Sequence, residues 1–338
     1  MNNTFMFPKL GIGCWSFGGG DYWGHQNQND VNDVVNNAYE NGINYFDTAE
    51  VYNNGNSEIS LGIATKNIRK KIIIGTKISP NHSQPKLIKN YLNESLKRLN
   101  TSYVDLYMLH WPLNPVSFNH YTKDELNVNF TINDVLEKFE KFKKEGKILH
   151  YGVCNFGPNQ INEIFNDFNI TVNQIPYSLL FRSAEYNLLD LCKKKNIKTL
   201  GYMSLMQGLL TGKYYNPDDV PLNRARTRHF NSIKRNKSRT NEEGFELQTF
   251  ETINSLRKIC DNINLTMSDL SILWSLSKID CTIIGCRDKN QFIKNYESIN
   301  KNITIPIYTK LDELTNNLKN LMGNNLDMYE NIKKQRSN

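Results

Sequence analysis

The sequence predicts a (β/α)8 TIM barrel forming a single domain, on three observations. Eight short β-rich runs alternate with segments whose apolar residues recur three and four apart, the pattern of a parallel sheet covered by helices. Two connections, 111–133 after the fourth run and 211–243 after the seventh, exceed plain turns, and barrels place their ligand sites on long loops that follow strands. Finally, no Gly-x-Gly-x-x-Gly follows a strand and opens a helix: the glycines at 18–20 run into Asp21, Tyr22 and Trp23 with no helical pattern. That absence favours a closed barrel over an open doubly wound sheet, an alternative that periodicity alone leaves standing.

The elements follow in order. Strands are predicted at 9–14, 43–46, 71–75 and 104–110, then at 148–154, 171–174, 198–202 and 281–285. Helical spacing covers 31–41, 58–67, 85–99 and 135–145, then 158–168, 185–196, 245–262 with 268–277, and 290–299. Pro85 and Pro158 suit a first helical turn, and Gly42 and Gly146 suit C-caps. An extra C-terminal helix is predicted at 311–322, and the Asn- and Lys-rich segment from 324 is expected to fray. No linker interrupts the pattern, so the predicted organisation is one barrel domain over 1–325 with a polar tail at 326–338.

Composition narrows the function classes. Of 338 residues, 39% are hydrophobic and 22% charged, enough apolar material for one large core. The net charge of +7 is dispersed. Its densest cluster, at 224–239, is expected to be a solvated mobile loop, with an anionic ligand as the alternative. A basic stripe with aromatic platforms is missing, which argues against nucleic acid as a partner. No apolar run approaches a membrane span, and no charged region followed by an apolar one marks a signal peptide, so a cytoplasmic protein is expected. The six cysteines form no Cys-x-x-Cys pair and the histidines are not at zinc-ligand spacing, so reduced thiols and no metal are expected. Nothing indicates the oligomeric state.

The chemistry gathers where the predicted strands end. Strand two runs into Asp47, with Tyr52 just beyond; strand three ends near Lys77; strand four ends at His110. Successive strand ends of a barrel share one rim, so one pocket collects all four. An ammonium beside a phenol favours the phenolate and is expected to pull its pKa down toward the working range, while an aspartate holds the ammonium. A histidine orients a carbonyl oxygen. Such a set protonates an oxygen that gains negative charge during hydride transfer.

These residues lie in a segment, INYFDTAEVYNNGNSEISLG at 43–62, that resembles the signature of the aldo-keto reductases. The resemblance continues through IIIGTK at 72–77, VDLYMLHWP at 104–112, GKILHYGVCNF at 146–156, VNQIPYSLL at 172–180, LMQGLLTGKY at 205–214 and TIIGCRDKNQFIKN at 282–295. It implies a catalytic tetrad of Asp47, Tyr52, Lys77 and His110, with Tyr52 as general acid. It further implies that Cys154, Asn155 and Gln174 meet a nicotinamide carboxamide, with a cysteine where the family carries serine, and that Tyr202 stacks on the ring. Cys14 and Trp15 match positions at the ribose and substrate. Leu205, Gln207, Gly208 and Lys213 fall in a loop that wraps the pyrophosphate, where Gly208 and Gly212 allow close backbone approach. Gly285, Arg287, Gln291 and Asn295 match the adenosine site. Substrate contacts implied or suggested by the aromatic pattern are Trp15, Trp23, His110 and Trp111.

Asp288 departs from the commoner neutral residue and would disfavour a 2′-phosphate, whereas Arg287, Lys289 and Lys294 favour one. The balance favours NADP(H), with NAD(H) as the alternative. The function so implied is reduction of an aldehyde, ketone or sugar carbonyl to an alcohol. Two rivals use the same residues: a redox-sensing regulatory subunit similar to potassium-channel β subunits, and an NAD-preferring sugar or polyol dehydrogenase.

Overall fold

A computed structural model describes residues 6–122 and 129–337. Eight parallel strands close on themselves in chain order: β1 Leu10–Gly13, β2 Tyr45–Asp47, β3 Ile73–Ile78, β4 Val104–Leu109, β5 Ile148–Cys154, β6 Val172–Pro176, β7 Lys198–Tyr202 and β8 Cys281–Gly285. The ladder from Leu10 opposite Thr282 to Gly13 opposite Gly285 completes the ring and removes the free edges of an open sheet. The helices are α1 Gln28–Glu40, α2 Asn56–Thr65, α3 Ile88–Arg98, α4 Pro115–Tyr121, α5 Ile132–Lys144 and α6 Pro158–Phe165. They continue as α7 Leu188–Lys194, α8 Glu246–Ile263, α9 Met267–Lys278, α10 Lys289–Glu297 and α11 Ile305–Met322. Among the described residues no helix is long and apolar enough to cross a membrane.

Side chains alternate along each strand, so every second residue enters the barrel. Tyr45, Leu106, Met108, Cys154, Val172, Leu200, Cys281 and Ile283 fill its interior. Tyr45 is too large for such a position unless its neighbours are small. A Cβ on Gly11 would come within 2.5 Å of the Tyr45 ring, and one on Gly75 within 2.7 Å of its hydroxyl. Two steps of the same alternation carry the inward row from Tyr45 to Asp47 and from Gly75 to Lys77. The next inward residues on β6 and β7 are Gln174 and Tyr202. A polar layer therefore caps the apolar one at the C-terminal end of the barrel.

Several expectations are corrected. Strand β3 begins and ends later than predicted, so Lys77 lies inside it, because Thr76 and Ile78 continue the outward-facing row that packs under the helices. Helix α11 starts earlier than predicted, with its proline in the first turn, where a missing N–H is harmless. The predicted loop at 111–133 carries α4, capped by the Asn114 side chain accepting from Ser117 N; its residues 123–128 lie outside the described residues.

The basic segment 224–239 is not a solvated loop. Arg228 and Arg235 are buried, the first donating to the Met322 carbonyl at 3.0 Å, the second bound to Asp218 and Glu246 at 2.8 and 3.1 Å. Nor does the tail fray. Leu326, Asp327, Met328 and Arg336 are buried, and Asp327 accepts from Arg336 Nε at 2.6 Å and Nη2 at 2.8 Å. The Arg336 carbonyl accepts from Asn114 Nδ2 and Gln160 Nε2, and Asn331 Nδ2 donates to Thr240 O at 2.7 Å. The tail thus straps together the loops after β4, β5 and β7. Polar composition hid it, since its anchors are a buried ion pair and Asn- and Asp-capped turns rather than apolar spacing.

Candidate active site

Asp47 ends β2 and Lys77 stands on the neighbouring β3, both directed inward. Lys77 Nζ donates to Asp47 Oδ2 at 2.6 Å and to the Thr48 carbonyl at 2.7 Å, and it reaches Tyr52 Oη at a longer 3.4 Å. Asp47 Oδ1 accepts from Tyr45 Oη at 3.0 Å and from Gln174 Nε2 at 2.7 Å. The carboxylate is held from β2, β3 and β6 at once, which satisfies a charge that burial would otherwise penalise heavily.

Tyr52 opens a short 3₁₀ turn, Tyr52–Gly55, in which Asn53 and Asn54 adopt left-handed φ values of 51° and 54°. Asparagine tolerates that backbone better than most residues. The Asn53 amide then ties the turn to the Trp15 and Phe17 carbonyls at 3.0 and 2.7 Å. His110 follows β4, its ring edge-on to Tyr52 with centroids 5.7 Å apart. Its carbonyl accepts from Asn155 Nδ2 at 3.0 Å, and Asn155 Oδ1 accepts from Tyr202 Oη at 2.7 Å.

The electrostatics differ from the expectation in one respect. Burial pushes the Tyr52 phenol above its ordinary pKa, and the opposing pull of Lys77 does not overcome it. Burial works against the Lys77 ammonium, but Asp47 and then Tyr52 hold its pKa above the ordinary value. Desolvation first and then Lys77 depress His110, leaving the imidazole neutral. The group is therefore a neutral phenol, a charged amine and an uncharged histidine. The chemistry available is proton donation.

Above the tetrad opens a cleft of about 1100 Å³. Its lining includes Asp47, Tyr52, His110, Trp15, Trp23 and Trp111, together with Gly285, Arg287, Gln291 and Asn295. Asn155, Gln174, Tyr202, Leu205, Gln207, Gly208 and Lys213 also line it. Trp15 stacks on Tyr22 at 4.7 Å and lies 6.0 Å from Tyr52. Tyr22 Oη donates to Gln207 Oε1 at 2.6 Å, joining residues 185 apart in sequence. The strand β7 exit is strained, with positive φ at Met203, Met206, Gln207 and Gly208. At Gly208, φ is 101°, a backbone that side chains other than glycine rarely adopt.

Three predicted residues are outside the lining. Lys77 is fully buried beneath the floor. Cys14 is packed in the core, its thiol directed to the Ile12 carbonyl. Cys154 sits inside the barrel with its Sγ 3.6 Å from Met108 Sδ and 3.9 Å from Gln174 Oε1. Asp288 also serves the fold. It is the N-cap of α10, accepting from the Gln291 backbone N–H at 2.9 Å and from Gln291 Nε2 at 2.8 Å. Both oxygens are engaged by the helix it starts. Arg287 donates to Gln26 Oε1 at 3.1 Å and to the His25 carbonyl.

Lining residues that the sequence did not suggest include Met203, Ser204, His120, Tyr121, Tyr329 and Arg336. The last two belong to the tail. Arg224, Arg226 and Arg239 also line the cleft, and the charge run at 224–239 was their one visible signal.

Comparison with known proteins agrees with this geometry. The chain is 28% identical over 336 residues to an NADH-specific methylglyoxal reductase of Escherichia coli, covering 92% of this chain and 95% of the relative. It is 29% identical over 333 residues to a putative voltage-gated potassium channel subunit beta of Schizosaccharomyces pombe, covering 91% of each. Its fold matches an aldo/keto reductase of Klebsiella pneumoniae solved with NADP and acetate, with a TM-score of 0.70, 20% identity and 95% of each chain covered. The model of the Aldo/keto reductase family matches residues 9–316, nearly the whole barrel, and the chain belongs to that family.

Proposed function

We propose that this chain reduces the carbonyl of an aldehyde or ketone to the alcohol with a nicotinamide dinucleotide, Tyr52 donating the proton. The observation that carries the reading is the buried relay from Asp47 through Lys77 to Tyr52, beside a neutral His110 on the floor of the cleft.

The residues fit such a cofactor. The cleft is long and large, and three of its buried donors or acceptors, His110 Nδ1, Trp23 Nε1 and Gln207 Nε2, have no partner among the described residues. Asn155, Gln174 and Tyr202 would hold the nicotinamide end, the strained 205–213 turn with Lys213 the pyrophosphate, and Arg287, Gln291 and Asn295 the adenosine. When bound, the cofactor supplies a hydride to the carbonyl carbon. Tyr52 Oη gives its proton to the carbonyl oxygen as negative charge develops there, and the Lys77 ammonium stabilises the phenolate left behind. Asp47 keeps that ammonium charged and aimed. His110 hydrogen-bonds the same oxygen and fixes its direction, while Trp15 and Trp111 exclude water.

The raised Tyr52 pKa keeps the phenol protonated at neutral pH and so available as a proton donor. We read NADP(H) as the preferred pair and NAD(H) as the alternative. Three cations, Arg287, Lys289 and Lys294, stand there against the one carboxylate of Asp288, which is hydrogen-bonded to Gln291 of its own helix. The six buried, free thiols support a reducing cytosolic setting. The test is Tyr52→Phe: cofactor affinity by fluorescence titration is retained and turnover falls about 10²–10⁴-fold. Near-native turnover would overturn the reading. The likeness to a channel β subunit supports a second reading, a slow cofactor-holding subunit; steady-state turnover far below the single-turnover hydride rate would favour it.

A further inference from the structure

We propose that the mouth of the cleft carries an anion subsite, and that the carbonyl substrate bears a negatively charged group, carboxylate or phosphate, at its distal end. This rests on the reductase reading above and specifies its substrate class.

The subsite is built from two segments far apart in sequence. Arg226 and Arg239 come from the segment after β7, and Arg336 from the tail; all three line the cleft. Their position follows from the aromatic wall. Tyr52 faces Trp15, Trp15 stacks on Tyr22, and the Arg226 guanidinium lies over the Tyr22 ring at 5.5 Å, two aromatic layers out from the reacting hydroxyl. On the other wall, the Arg336 guanidinium covers Trp111, the neighbour of His110, at 3.5 Å.

The charges do not cancel. Arg336 is paired at 2.6 Å with Asp327, and Arg239 lies 3.3 Å from Glu330. Arg226 has no carboxylate partner among the described residues, so three guanidiniums face two carboxylates. His120 adds no charge: desolvation and then Arg239, Arg336 and Arg226 hold its pKa below the ordinary value, and its ring touches Arg239. Arg224 lies over Trp23 and reaches the Tyr214 hydroxyl, and so adds no carboxylate to the balance. An uncompensated guanidinium in a cleft of low dielectric attracts anions strongly, and its flat fork matches carboxylate and phosphate oxygens. The placement selects length as well as charge, because the anion must stand off from the carbonyl by the depth of the aromatic wall.

The test compares matched carbonyl pairs with NADPH, or with NADH should the enzyme use that nucleotide: 4-carboxybenzaldehyde against its methyl ester, and glyceraldehyde 3-phosphate against glyceraldehyde. The expected result is a kcat/KM ratio of anionic to neutral substrate of roughly tenfold or more, carried in KM and falling with added salt. A preference confined to the first pair identifies carboxylate, and one confined to the second identifies phosphate. Arg226→Gln collapses the ratio, and Arg226→Lys restores part of it, which a merely structural role would not do. Equal ratios in the wild-type enzyme, with neutral substrates reduced well, would overturn the anion subsite and leave the reductase reading intact. If no carbonyl is reduced, the reductase reading fails, and the subsite is judged by benzoate and inorganic phosphate titrations of the tryptophan fluorescence. Saturable quenching lost in Arg226→Gln supports it; absence of quenching overturns it.

Discussion

Two fully buried ion pairs, each with a 2.6 Å contact, border one cleft, one beneath its floor and one in the tail segment, and do different things. Lys77 and Asp47 sit on adjacent strands of the barrel, and their pairing is left open on one side toward Tyr52. Arg336 and Asp327 sit nine residues apart in one irregular segment, and their pairing closes that segment on itself. The first pair stands behind the proposed proton donor; the second turns a polar segment of chain into a wall. Burial and short distance are therefore not the marks of catalysis. What separates the pairs is the third group each one meets, a phenol in one case and an indole face in the other.

Three experiments break or sharpen that comparison. Lys77→Met has the largest effect: it strands the Asp47 carboxylate and removes the ammonium behind Tyr52. Turnover should fall about 10²–10⁴-fold, and stability should fall by about 3–5 kcal/mol as a buried charge loses its partner; steady-state assay and thermal unfolding read the two. Asp327→Asn comes next. It leaves Arg336 without its carboxylate, again at about 3–5 kcal/mol, but spent on undocking the tail rather than on the barrel. Limited proteolysis should then cut near Lys333 and Lys334 in the variant and not in the parent, with kcat falling far less than in Lys77→Met. Equal loss of kcat in both would erase the distinction between the pairs.

The smallest expected effect is no effect. His110 is depressed and so stays neutral as pH falls from neutrality; Tyr52 is raised and so stays protonated as pH rises. Reductive kcat should be flat between about pH 6 and 9, and a rise or fall centred in that range would show that one of the two titrates there.

The two walls also differ in what a reader of the sequence can see. The floor is legible because period-two alternation and strand ends carry Asp47, Lys77 and His110 to one rim, whatever the loops do. The bounds of β3 were less legible, since Lys77 lies inside it, and the pattern did not show that Cys154, one residue from Asn155, faces the barrel interior. The tail wall was illegible. Asp327 and Arg336 look like ordinary surface charges, and only long-range docking buries them. Asp288 carries a duty that is hidden for a related reason. An acid near a predicted phosphate site invites a functional reading, yet the same residue one step before a helix satisfies the ordinary demand for an N-cap. The raised Tyr52 pKa could not be read either, because proximity to lysine was visible in the pattern and the degree of desolvation was not.

One contact also spans most of the sequence. The Asn114 amide reaches the Arg336 carbonyl across 222 residues of chain, against 30 for the Lys77–Asp47 pair. The entropy lost in closing a loop grows with its length, so the strap beside Trp111 is the costlier of the two contacts to close.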